Sequence, residues 1–340
     1  MTDARVVVLR EYGVLGVEEV TLPAVGDHQV EVELLAAGVQ PAQLRMVQAA
    51  DPPDHQPVVP GLEGVGVVTA IGSRVARARC GDLVIIGATP AAGVDRPAQS
   101  PQIRFGGAQS DRPVCTWATN AIVDEQFVTP APGAFRDRES LALLGDTVLM
   151  AAAAVLRGAR VKAGDRVAVF GGGGTALAAM AVAKALGAGA IIAVADSPIA
   201  LDMARGVGAT DLIAAADGDL SIAAGFIDHA FDCALEHGGP PPSRALLRDG
   251  GTLQLLATAG TPQGHAALAV RAAQIGADCA PPADPAGDLA VILGWIESGV
   301  FDPAKLIRGR YTIEQINEAV MSLETGPSAG QPLMIVEPLR

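Results

Sequence analysis

Apolar residues in the first third of the chain fall in short runs: "ARVVVLREYG" (4–13), "QVEVELLAAGV" (29–39), "GVGVVTAIGS" (64–73) and "GDLVIIGA" (81–88). They alternate with polar positions or run apolar throughout, and Gly or Asp stands at their ends, which predicts β-strands. Residues 87–114 carry Pro, Gly, Ser and Gln without any period and read as a long surface loop. From about residue 138 the pattern lengthens to helix-sized segments separated by short β-branched runs. A helix over 138–158 precedes the strand "RVAVFG", the helix "TALAAMAVAKALGA", the strand "AIIAVAD", the helix "IALDMARGVG" and the short strand "DLIAA". Repeated strand–helix units predict a doubly wound parallel sheet. Further strands are expected at "FIDHAFDCAL" and "GGTLQLLATAG", with "PPSRALLRD" as the helix between them. The tail returns to helices at "DLAVILGWIESG" and "TIEQINEAVMSLETG" and ends in the strand "PLMIVEP".

At 340 residues the chain exceeds what one hydrophobic core usually fills, so two domains are expected. Half the residues are apolar and 18% charged, enough apolar material for an ample core. A net charge of −13 repels nucleic acid and anionic membrane alike, and no basic run offsets it. No apolar stretch approaches bilayer length, and the N-terminus carries charges where a signal peptide needs an apolar centre, so a cytoplasmic protein is expected. Cys80, Cys115, Cys233 and Cys279 lie far apart, as do His28, His55, His229, His237 and His265. That spacing builds neither a disulfide framework nor a structural metal lobe.

The strand ending at Val169-Phe170 runs into Gly171-Gly172-Gly173-Gly174-Thr175-Ala176 and then into an Ala-rich helix. In such a turn Gly171 permits the tight bend, Gly173 lets the backbone approach a pyrophosphate, and Ala176 allows close helix–strand packing. The helix N-terminus, with Gly174 and Thr175, offers free N–H groups and a positive dipole to phosphate. A dinucleotide site follows. The second strand ends in "AVADSP", where Ala195 and Asp196 compete to face the adenosine ribose. Asp196 in that place favours NAD; Ala195 there would leave Ser197 to meet a 2′-phosphate and favour NADP. The choice between NADH and NADPH stays open.

These residues, with "VEVELLAAGVQPAQLR", "PGLEGVGVVTAIGSRV", "CGDLVIIG", "LLGDTVLMAAAAV", "RVKAGDRVAVFGGGG", "GVGATD", "LRDGGTLQLLA" and "YTIEQINEAVMSLETG", resemble the medium-chain dehydrogenase/reductase superfamily, alcohol-dehydrogenase-like branch. The resemblance implies a discontinuous GroES-like β-barrel domain (1–147 and 286–340), a Rossmann domain (148–285), hydride transfer from a nicotinamide in the cleft between them, and a homodimer.

Zinc-dependent members carry a Cys, a His and a further Cys where this chain has Gln40, Leu62 and Asp146, with Glu63 retained. One amide, one leucine and one carboxylate do not rebuild a catalytic zinc shell. No cysteine lies within 87–114, where the family's structural zinc would sit, and Ala42 stands near the position of the proton-relaying hydroxyl. Alcohol oxidation needs a Lewis acid or a base, whereas reduction of an activated C=C needs mainly hydrogen-bond donors to the developing oxyanion. The expectation is therefore a zinc-free reductase of a conjugated carbonyl (enone, quinone or polyenone), some relatives of this kind coupling the reduction to ring closure. Gln40 would be the donor and Asp146 a proton source or a structural carboxylate, with Glu63 orienting the cleft and Gln43 lining it. A non-redox cyclase or lyase, a cofactor-binding protein without turnover, and an alcohol dehydrogenase are the alternatives. Pro41 and "GQPLMIV" favour weak phosphate affinity, since neither offers a cation. Trp117 and Phe105 line the cleft or pack the core; Tyr12 and Tyr311 have no assigned role.

Overall fold

The computed structural model describes residues 2–11, 13–48, 57–90, 94, 96–100, 103–105, 108–110, 113–132, 135–216, 220, 224–234, 242–256, 270, 272–274, 276–279, 281 and 283–336. Tyr12, His55, His237, His265 and the side chain of Phe105 lie outside these.

Two strands, β1 (Asp3–Glu11) and β2 (Val14–Thr21), form an antiparallel hairpin. The apolar runs that follow become β3 (Gln29–Gly38), β4 (Gly64–Ile71) and β5 (Leu83–Ile86), with α1 (Pro41–Gln48) after β3. The supposed loop 87–114 contains a short hairpin, β6 (Ile103–Phe105) and β7 (Ala108–Ser110), with Ile103 buried. Next come β8 (Asn120–Asp124) and β9 (Val128–Pro130). The helix expected over 138–158 is three pieces: a 3-10 turn at Glu139–Leu144, α2 (Thr147–Ala152) and a π-helical turn at Ala153–Gly158. Asp146 breaks it, because its backbone (φ −141°, ψ −57°) lies outside the helical region.

The strand–helix units follow as β10 (Arg166–Phe170), α3 (Gly174–Ala185), β11 (Ala190–Ala195), α4 (Pro198–Val207), β12 (Asp211–Ala214) and β13 (Ile227–Asp232). The segment "PPSRALLRD" is not a helix: a 3-10 turn at Pro242–Leu246 leads directly into β14 (Leu247–Leu255). Pairing with β13 decides this, Ile227 facing Leu247 and His229 facing Thr252, with the register irregularity between them. The chain then runs through β15 (Asp278–Cys279), α5 (Pro285–Glu297), β16 (Ile307–Thr312), α6 (Ile316–Thr325) and β17 (Gln331–Ile335).

Six strands form one parallel sheet in the order β12-β11-β10-β13-β14-β15. By position in the sheet this is the 3-2-1-4-5-6 order of a Rossmann fold, which reverses direction beside the glycine loop. The second sheet runs β16-β17-β3-β4-β5-β9, with β8 also on β3, so strands from both ends of the chain share it. Its interior holds the fully buried Trp117, whose indole N–H donates to the Gly38 carbonyl at 3.1 Å.

Helix α3 is apolar almost all round because it is covered almost all round; Leu177, Met180 and Val182 are fully buried. Each such side chain contributes about 1.5–3 kcal/mol. One apolar cluster continues from these residues through Leu143, Leu144 and Val148 to Val65 and Ile85 of the second sheet. The two lobes therefore share core, and α2 lies on the seam.

Candidate active site

The glycine loop joins β10 to α3. Gly171 has φ +113°, a left-handed conformation that a side chain would strain, and its N–H donates to the Val194 carbonyl at 2.9 Å. Around Gly173 there is room: a Cβ placed there would meet no atom within 4 Å. Gly173 is also the extended N-cap of α3, and no side chain caps the first N–H groups of this 12-residue helix. This arrangement fits a pyrophosphate. Ala176 is 1% exposed and packs inward; Thr175 is half-buried.

At the end of β11, Ala195 is buried with Ala200 and Ala329, and Asp196 is exposed. Ser197 is the N-cap of α4, its Oγ accepting the Ala200 N–H at 3.2 Å. The Ser197 oxygen is thus already engaged.

Four separate elements bring a second group together: Gln40 after β3, Glu63 before β4, Asp146 and Thr147 at the start of α2, and Gln331 at the start of β17. Glu63 is 0% exposed. Its Oε2 accepts the backbone N–H groups of Asp146 and Thr147, both at 2.9 Å. Its Oε1 lies 2.9 Å from Thr147 Oγ1 and accepts Gln331 Nε2 at 2.7 Å. Gln40 Nε2 donates to Thr147 Oγ1 at 3.1 Å. The Gln40 amide also bonds the Glu63 and Asp146 carboxyls, and its Oε1 is the unpartnered atom. The unpartnered buried amide nitrogen belongs to Gln43, whose Oε1 accepts the Gln40 backbone N–H.

Asp146 Oδ2 is shut off from solvent and has no partner. Burial first, and the neighbouring Glu63 carboxyl second, push the Asp146 carboxyl up to about 7, while the Gln40 amide pulls against them. Burial also pushes Glu63 up, against the bonds it accepts. The two acids titrate as a pair. Leu62 is half-buried beside Glu63. Among the described residues no three His, Cys, Asp or Glu side chains converge to hold a metal ion.

Thr147 and Gln331 were not apparent as site residues from sequence. Gln331 reaches the site because Gly330 N–H donates to the Gly172 carbonyl at 2.7 Å, which seats the start of β17 on the glycine loop. No local pattern signals a contact between such distant parts of the chain.

A parallel sheet in Rossmann order, a glycine loop at its switch point and a second lobe built from both chain ends define the two-lobed class of Rossmann and GroES-like proteins. Comparison with known proteins agrees. The model for the alcohol dehydrogenase GroES-like domain matches residues 26–133. A class-3 alcohol dehydrogenase of Myxine glutinosa is 30% identical over 251 residues, covering 64% of this chain and 66% of that protein. An NADP-dependent alcohol dehydrogenase C 1 of Mycolicibacterium smegmatis is 30% identical over 185 residues, covering 50% and 52%. The matches thus span between about half and two thirds of these relatives' length. Among solved structures, an alcohol dehydrogenase zinc-binding domain protein from Burkholderia ambifaria superposes with a TM-score of 0.79 at 23% identity, covering 99% of both chains. Benzyl alcohol dehydrogenase from Acinetobacter calcoaceticus gives 0.79 at 20% identity, covering 99% of this chain and 100% of that one. Residues 26–133 thus carry the GroES-like domain of alcohol dehydrogenases, and the whole chain has the fold of the dehydrogenases it superposes on.

Proposed function

We propose that the protein is an NAD(P)H-dependent oxidoreductase that works without a catalytic zinc and reduces the C=C bond of a conjugated carbonyl compound. The observation that carries this reading is Asp146: a carboxyl pushed up to about 7, one oxygen unpartnered, at a position where zinc-dependent relatives use a thiolate. A zinc ligand needs a carboxylate held in its charged form beside other N, S or O donors. Here burial favours the protonated acid, the neighbouring positions are the amide Gln40 and the apolar Leu62, and Glu63 is engaged by four hydrogen bonds. That donor set does not fit zinc. It does fit proton donation.

A reduced nicotinamide supplies a hydride when bound. The chain's own part is to carry the pyrophosphate on the loop of Gly171, Gly173 and Gly174, to offer Gln43 Nε2 to the carbonyl oxygen, and to protonate the other carbon. With hydride added at the carbon remote from the carbonyl, Gln43 Nε2 would hold the negative charge on the carbonyl oxygen of the resulting enolate, and Asp146 would give its proton to the carbon beside the carbonyl and be left ionised. Asp146 then regains its proton from solvent. The exposed Asp196 and the engaged Ser197 favour NADH over NADPH, since a 2′-phosphate would meet a carboxylate. Coupling of the reduction to ring closure would need a substrate able to cyclise and calls on no further residue.

Alcohol oxidation is the second reading, favoured by the names of the relatives; it requires a base to take the hydroxyl proton, a task for ionised Asp146. The deciding experiment measures nicotinamide absorbance with NADH or NADPH against a panel of enones, quinones and alcohols, before and after chelation. Enone-dependent oxidation of the cofactor that survives chelation is expected. Activity lost on chelation and restored by Zn²⁺, or turnover of alcohols alone, overturns the proposal.

A further inference from the structure

The hydrogen bonds around Glu63 do not balance if it is ionised. Three polar contacts close a ring: Gln331 Nε2 to Glu63 Oε1 at 2.7 Å, Gln331 Oε1 to Thr147 Oγ1 at 2.8 Å, and Thr147 Oγ1 to Glu63 Oε1 at 2.9 Å. Each contact needs one hydrogen between its heavy atoms. The Gln331 amide supplies one, and the Thr147 hydroxyl has only one to give. Turning the Gln331 amide over moves the gap without filling it. Its nitrogen then donates to Thr147, Thr147 donates to Glu63, and two oxygens face each other at 2.7 Å. In either arrangement the third hydrogen must sit on Glu63.

The surroundings agree. The partners of the Glu63 carboxyl are two backbone amides, one hydroxyl and the side-chain amides of Gln331 and Gln40, and none is a cation. Among the described residues the titratable group acting on it is Asp146, itself an acid. The other elements packed on it present Gly38, Gly145 and Thr116, which do not titrate.

Gln331 also touches the glycine loop. A Cβ at Gly174, the first residue of α3, would come within 2.4 Å of Gln331 Oε1. We propose that Gln331 is a positioning residue: held in a ring with Thr147 and an uncharged Glu63, it fixes the first turn of α3, and with it the glycine loop, against the polar pocket. The proposal rests on the proposed function only for what the loop carries; the ring itself is independent of it.

Amide hydrogen exchange across residues 170–177 of the full-length protein, in wild type, Q331L and E63Q, tests it without any cofactor. Q331L opens the ring, and exchange in this segment should rise about tenfold. E63Q keeps an uncharged group able to fill the third contact and should exchange within about threefold of wild type. Infrared spectra should show a buried protonated carboxyl in wild type that E63Q lacks. Unchanged exchange in Q331L, E63Q exchanging as fast as Q331L, or no such band lost in E63Q overturns the inference. If Q331L fails to fold, E63Q and the infrared band still decide. Failure of wild type to bind NADH or NADPH while the ring tests succeed would sink the proposed function alone.

Discussion

Burial above all pushes the Asp146 carboxyl up, to about 7. As the proton donor for C=C reduction it must carry its proton at the start of each cycle. The reduction rate should therefore be level below about pH 7 and fall tenfold per unit above it. Asn in place of Asp146 removes the donor without changing the shape, and should lower kcat about 10²–10³-fold and abolish that limb. A pH–rate profile checks both, and an alkaline limb that survives in D146N would show that another group titrates. Gly174 gives a second test. A methyl group there collides with a Gln331 side chain that Glu63 and Thr147 already hold, so G174A should destabilise the fold by about 1–3 kcal/mol. Thermal unfolding measures this. The glycine loop was legible in the sequence because its meaning is local: strand, four glycines, helix. Gln331 and Thr147 were not, because their roles exist only once β17 and α2 meet Glu63. Gln40 was legible as a site residue, but which end of its amide is free depends on a hydroxyl 107 positions away.

At the scale of elements, the units from β10 to α4 could be read from period and punctuation, since each strand is buried on both faces and each helix is long enough to show its repeat. The misread segments are those where pairing outweighs local preference. β2, which no apolar run predicted, shows only two buried positions in eight residues. "PPSRALLRD" has helical composition, yet its second half pairs with β13. The end of β11 was ambiguous for a different reason: Ala195, Asp196 and Ser197 are adjacent, and their faces are set by α4. That helix gives an element-level prediction. Ser197→Ala removes the cap on Ala200 and should cost about 1 kcal/mol while leaving the ratio of NADH to NADPH affinity unchanged. Thermal unfolding with fluorescence titration measures both. A selective loss of NADPH affinity would mean that Ser197 meets a 2′-phosphate instead.

For the whole molecule, the buried carboxyls fall into two groups with opposite pH linkage. Burial would raise Asp124 and Glu125, but the hydrogen bonds they accept outweigh it and hold both below the usual carboxylate range. Asp124 is gripped by both arms of Arg96, at 2.6 and 2.8 Å, and by the Gln99 N–H; Glu125 takes the Ala76 and Arg77 N–H groups and His28. A lowered folded pKa contributes stability that is complete above the unfolded value and lost as pH falls through the folded one. Asp146, raised to about 7, acts in the other sense: its contribution is complete in acid and lost as pH rises through about 7. The thermal midpoint should therefore decline on both sides, through different residues. The Arg96 staple ties residues 96–99 to β8. Removing Arg96 leaves the fully buried Asp124 charge without its cation; breaking such a pair costs about 3–5 kcal/mol, nearer the lower end here because the Arg96 side chain is 23% exposed. R96M should thus lower the midpoint at pH 7 and flatten its decline in acid, since the folded-state Asp124 carboxyl then moves back up toward its unfolded value. D146N should leave the acid side alone and flatten the alkaline one. Unfolding curves at matched ionic strength separate the two effects, and an acid limb identical in R96M and wild type would show that the staple does not hold the fold.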